Sequence, residues 1–278
     1  MYLLSVLFLS FICFISFNLV VWWSVFLVMT FVFISINKSL SSYIVLVNYF
    51  IIQEVVGLLF LFFNFYIAQL IFLFIKVGVA PFHFWLFGVL WGVYDYSFFW
   101  FLTFQKLPFI MVFFSLGGYF YFIFINFWVC FFCYFQIFLL KSFKFLIILS
   151  STESFNWFLM VNSLIFSVSF YLFFYYLIII SFLLFKGLNF FFNFNTWESL
   201  LVFLNMPFML TFFVKIFSLM GIVGMNLFIF VLLFLMFLSS LSFGYWLVIL
   251  STKFNFFSDF KNQVFSIIVF VLSFFCLI

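Results

Sequence analysis

Residues 43–63, YIVLVNYFIIQEVVGLLFLFF, form an apolar run of 21 residues with one charge, Glu54, at their centre. A helix needs about 20 mostly apolar residues to cross a bilayer, so this run has the length of a spanning segment. The rest of the chain reads the same way. Of 278 residues 71% are hydrophobic and 5% charged, against about 25% charged in an ordinary soluble domain. Too little polar surface is left to coat a water-soluble fold, so the bilayer is the solvent. The composition predicts an all-α, polytopic transmembrane bundle forming a single domain over residues 1–278.

Cutting at small polar clusters and charges predicts eleven spans: 2–17, 19–36, 43–63, 66–87, 98–116, 118–139, 145–164, 166–185, 198–219, 226–250 and 263–277. Lys38, Lys141, Lys144, Lys186, Lys253 and Lys261 all fall in loops that follow even-numbered spans. Lysine-bearing loops stay on the side of synthesis. The segregation supports the span count and predicts an inner (matrix) N-terminus and an outer C-terminus. Asp95 is expected at the boundary of spans 4 and 5, as a cap or loop residue.

Several features carry no function in this reading. The 64 phenylalanines and the absence of arginine read as codon bias in an AT-rich organelle genome. Met1–Phe17 lacks a basic n-region and a small-residue cleavage site, so it reads as a retained first span. Cys130 and Cys133 form a C-x-x-C inside an unbroken apolar run, without the partners that a metal or redox site needs. No phosphate loop, nucleophile–base pair, iron–sulfur cysteine set or nucleic-acid-type basic arm is present.

Five charges fall in the interior of spans: Glu54, Lys76, Lys106, Glu153 and Lys215. One ionisable group at mid-bilayer costs roughly 2.5–3.5 kcal/mol on insertion scales. Such groups must face protein or a hydrated path. A buried Lys–Glu pair that only fixes helix register is one reading. It is a poor stabiliser, because desolvation can cancel the attraction. Three lysines facing two carboxylates also leave one lysine over, and a row of such groups is what a proton path needs. All three prolines, Pro81, Pro108 and Pro207, lie in spans that hold one of these lysines. Proline removes a helix hydrogen bond, and broken membrane helices occur where they line a cavity or lie buried in protein. His83 is the sole histidine. It is either a structural residue or, beside a break and a lysine, a proton relay.

The segment Lys76-Val77-Gly78-Val79-Ala80-Pro81-Phe82-His83-Phe84-Trp85 resembles the "KxGxAPFHFW" signature of subunit 2 of mitochondrial NADH:ubiquinone oxidoreductase, respiratory complex I. Gln105-Lys106-Leu107-Pro108 resembles that family's "QKLAP", and Tyr49-Phe50-Ile51-Ile52-Gln53 its "YFLxQ". Ser150-Ser151 with Trp157, and Pro207 with Lys215, match the spacing of two further blocks. The blocks occur in family order over about residues 20–250, and the composition looks most like a nematode version.

The resemblance implies an antiporter-like, inverted-repeat subunit with two discontinuous helices, those of Pro81 and Pro207. It sits in the membrane arm of complex I in the mitochondrial inner membrane. It implies that Lys76 is the central proton-carrying lysine, that Lys106 continues the axis, and that Lys215 lies toward an exit half-channel. Neighbouring antiporter-like subunits, supernumerary subunits and lipids such as cardiolipin are the implied partners. NADH, FMN, iron–sulfur clusters and ubiquinone would bind other subunits, with no cofactor in this chain. Three positions depart from the family. Phe26 stands where the family has a glutamate in its second helix, Ser154 (beside Glu153) where it has a histidine, and Phe87-Gly88-Val89 where it has "PEV". Glu54, one helix later, is the expected replacement carboxylate for Lys76. A stand-alone cation transporter, and a structural subunit that no longer pumps, are the alternatives.

Overall fold

The computed structural model describes residues 2–38, 42–63, 65–93, 95–116, 136, 143–164, 215–216, 218 and 226–253. Among them the ordered elements are all helical: α1 (Tyr2–Ile15), α2 (Leu19–Asn37), α3 (Tyr43–Phe62), α4 (Tyr66–Val77), α5 (Phe84–Trp91), α6 (Asp95–Thr103), a 3-10 turn (Phe104–Lys106), α7 (Leu107–Leu116), α8 (Phe143–Leu164) and α9 (Asn226–Lys253). The chain groups into two compact units, Met1–Tyr119 and Phe120–Ile278. The predicted spans 118–139, 166–185, 198–219 and 263–277 fall largely or wholly outside the described residues, and so does Pro207.

In the first unit α2 and α3 are each long and apolar enough to cross a bilayer. Their polarity is inverted relative to a soluble helix. Thr30 and Asn37 of α2 and Gln53 of α3 are buried, while Val28, Phe31, Ile51, Val55, Leu58 and Phe62 face outward. Lipid tails accept an apolar exterior at no cost, so the polar groups turn inward toward partners. The inner face of α2 is Trp22, Phe26, Met29, Thr30, Phe33 and Asn37, the spacing of one helical stripe. Asn18 caps α2, its side chain accepting from the Val20 N–H at 3.0 Å. Trp22 closes the α1–α2 corner by donating its indole N–H to the Ser16 carbonyl at 2.7 Å. Helix α1 packs on α7 and α2, and α3 packs on both α2 and α4.

The predicted fourth span, 66–87, is two helices. Helix α4 stops at Val77, ahead of Pro81, and at 12 residues it rises about 18 Å, short of a crossing. Gly78 ends it. Its φ of +75° is open to glycine and costly for other residues. Its N–H reaches the Ile75 carbonyl, and the Val79 N–H reaches Phe74 at 2.9 Å, the paired bonds of a Schellman stop. A Cβ on Gly78 would lie 2.5 Å from Leu86. The peptide Ala80–Pro81 is cis. The chain then turns through His83 into α5, which runs to Trp91 rather than ending at 87. The predicted fifth span, 98–116, begins at Asp95 and is interrupted by the 3-10 turn. The Pro108 ring conflicts with the carbonyl four residues back, Phe104, and the Leu107 N–H closes the tighter bond to Phe104 instead.

Candidate functional site

A helix that stops inside a membrane exposes carbonyls that water cannot satisfy. The first unit supplies side-chain partners to two of them. The Ile75 carbonyl accepts the Trp85 indole N–H at 2.8 Å, and the Lys76 carbonyl accepts the Gln53 amide at 3.1 Å. The signature tryptophan therefore returns from α5 to seal the end of α4, and Gln53 of α3 seals the next position. Lys76 lies in the last turn of α4, where the helix dipole favours a cation.

The side chain of Lys76 is 4% exposed. Its ammonium lies 5.1 Å from the ring centroid of Phe26, a cation–π distance. Lys76 thus faces an aromatic ring from α2. On the α3 side the approach is open because residue 57 is glycine. A Cβ there would stand 2.8 Å from Lys76 Nζ and 3.3 Å from the Trp23 indole nitrogen. Phe26 is itself held by stacking on Phe109, with centroids 4.5 Å apart, and edge-on against Phe60.

Glu54 is half-buried. Its Oε1 lies 3.2 Å from the Thr30 hydroxyl, whose one proton is shared with the Leu27 carbonyl at 2.7 Å, and no ion pair within 4 Å joins it to Lys76 among the described residues. Thr30 is one turn beyond Phe26, so α2 presents a ring to Lys76 and a hydroxyl to Glu54 from the same face.

Lys106 sits in the 3-10 turn, buried. Lys76 and Lys106 both line one small cavity, with Gln53, Val77, Phe101, Gln105 and Phe109. It has about 10 Å³ of room for a water's centre, the scale of one water molecule. Gln105 donates its amide N–H to the Tyr49 hydroxyl. Helix α3 therefore offers the site a stripe at i, i+4 and i+8: Tyr49, Gln53 and Gly57. The sequence reading named none of these three, nor Gln105, as functional. The stripe spacing, and the glutamine beside Lys106 in the second signature, were the available signals.

His83 is fully buried, stacked on Phe84 at 4.9 Å and edge-on to Phe87 at 5.4 Å. Its carbonyl accepts from the Leu86 N–H, starting α5.

In the second unit, Glu153 of α8 and Lys215 form an ion pair at 2.5 Å with both side chains buried. The Lys215 ammonium also lies 5.6 Å from the Trp157 ring centroid. Trp157 donates to Ser218 at 3.1 Å, and Ser218 donates to the Lys215 carbonyl at 2.6 Å. Glu153 and Trp157 are one turn apart on α8 and grip one lysine from the same face. The sequence alone did not join these two residues, which lie 62 positions apart.

No protein-family profile matches the chain. Over 257 residues it is 46% identical to NADH-ubiquinone oxidoreductase chain 2 of Ascaris suum, covering 91% of this chain and 85% of that protein. Over 276 residues it is 45% identical to NADH-ubiquinone oxidoreductase chain 2 of Caenorhabditis elegans, covering 97% and 96%. Identity at this level, sustained from end to end, places the chain in the NADH-ubiquinone oxidoreductase chain 2 family.

Proposed function

We propose that the chain is a core membrane-arm subunit of respiratory complex I in the mitochondrial inner membrane. It would contribute a proton-translocation channel to the transfer of electrons from NADH to ubiquinone, with no redox centre of its own. The observation that carries this reading is the pair of buried lysines, Lys76 and Lys106, each at a helix interruption and both lining one cavity. A change of charge near a buried ammonium decides whether it keeps its proton. Two lysines on one cavity repel when both are charged, so a proton added to one alters the hold of the other. Glu54, fixed on Thr30, would bias Lys76. Lys215, paired to Glu153, would be a second charge whose release requires its carboxylate to be protonated or moved. His83, closed in by aromatic rings, would act chiefly in turning the chain after the break.

One observation favours a second reading. Phe26 occupies the place of the family's glutamate, and a ring tunes a lysine more weakly than a carboxylate does. A subunit that has kept its architecture and lost its pumping share would look like this. A stand-alone transporter is disfavoured by the end-to-end likeness to complex I chains.

Membership is tested by native electrophoresis and mass spectrometry of gently solubilised inner membranes. Co-migration with a large NADH-oxidising assembly is the expected result. A chain that runs alone or as a small oligomer would overturn the reading.

A further inference from the structure

Gln105 is buried, and its amide oxygen has no hydrogen-bond partner. A buried acceptor left unpaired is destabilising, and few are tolerated in folded proteins. The reason for this one lies in its neighbours. The residue lines the cavity shared by Lys76 and Lys106, while its nitrogen is engaged by Tyr49. Both lysines, when charged, offer only donors. Were the amide turned over, its two N–H groups would face two ammonium groups. The lysine donors therefore favour the amide orientation that turns its oxygen toward the cavity, while Tyr49 anchors the other end of the amide.

We propose that Gln105 is a positioning residue for proton exchange between Lys76 and Lys106, its amide oxygen orienting one water in their shared cavity. The proposal rests on the lysines being the proton carriers. The cavity has room for about one water. Such a water accepts from the Lys76 ammonium and donates one O–H to Gln105 Oε1. Its other O–H then points to the lone pair of a neutral Lys106. Exchange breaks an N–H bond of Lys76 and forms a new O–H on the water. The O–H that faced Lys106 breaks as an N–H forms there. The water is regenerated and one positive charge has moved. Gln105 holds the hydrogen that must not move, which leaves one route for the proton that does.

The test is the number of protons moved per NADH oxidised by the assembled complex in proteoliposomes, with Lys76→Met as the ruler. Gln105→Leu fills the same space without an acceptor and is expected to lower the ratio as far as Lys76→Met does. Gln105→Glu restores an acceptor oxygen and is expected to recover part of the loss. A space-filling role would give the reverse order, with Leu the better tolerated. Tyr49→Phe frees the amide to turn and is expected to give an intermediate ratio, with no further loss when combined with Gln105→Leu. If Gln105→Leu lowers the amount of assembled complex, Tyr49→Phe decides. A Lys76→Met complex with reduced ratio beside Gln105→Leu and Tyr49→Phe complexes with the full ratio would overturn the role of Gln105. A full ratio in Lys76→Met itself would remove the lysine path on which the proposal stands.

Discussion

At the scale of single residues, the environment of Lys76 is built from what is small and what is aromatic. Gly57 lets the ammonium come close to α3, and Phe26 offers its face from α2. The lysine was legible in the sequence because a charge in an apolar run is expensive and conspicuous. Of its surroundings, Phe26 was marked only through the resemblance, since nothing in its type sets it apart from the other phenylalanines among 64, and Gly57 was not marked at all. Glu54 was picked out by its depth. That it rests on Thr30 depends on the rotation of α3 about its axis, which an apolar stretch with little amphipathicity does not reveal. Gly57→Ala separates the roles of space and stability. Alanine is the better helix former by about 1 kcal/mol, and the clash falls on the mobile tip of a lysine. The variant is expected to assemble as well as the unaltered chain while moving fewer protons per NADH, measured on the same preparation. A parallel loss of assembly and ratio would instead make Gly57 a packing residue.

At the scale of elements, the two interruptions decide where the lysines sit. The length of the apolar runs gave the number and placing of α1, α2 and α3 to within two residues at each end. Pro81 signalled the break after α4, yet the helix stops earlier, at Gly78, whose positive φ and contact with Leu86 belong to tertiary structure. Gly78→Ala is expected to destabilise the first unit by about 1–2 kcal/mol from the backbone conformation alone, more once Leu86 is displaced. Less assembled complex at elevated temperature is the readout, and unchanged thermal stability would mean that the turn is not strained by a side chain. The second unit offers a different element-scale test. Removing one partner of the buried Glu153–Lys215 pair leaves an uncompensated charge and costs about 3–5 kcal/mol. Glu153→Met or Lys215→Met alone is therefore expected to reduce assembly sharply, and the double variant to recover much of it. Single variants as well tolerated as the double would show that the pair is not held in a dry interior.

At the scale of the whole molecule, the described residues of the first unit turn apolar side chains outward and gather polar ones within. Phe31, Val55, Leu58 and Phe62 face outward while Gln53, Gln105, Lys76 and Lys106 are enclosed. Composition alone was enough to read that inversion, since no other arrangement accommodates 5% charge. The partnership of Glu153 with Lys215, 62 positions apart, required the fold. The chain's standing as a proton-moving member of a redox assembly turns on whether the buried lysine at the end of α4 exchanges its proton during turnover. The most direct measurement is the proton-to-electron ratio of assembled complex carrying Lys76→Met, reconstituted in sealed vesicles and driven by NADH. A ratio lowered by the share of one channel, in complex that still oxidises NADH, is the expected result. A ratio equal to that of the unaltered complex would contradict a proton path through Lys76 and leave the chain as a structural part of the membrane arm.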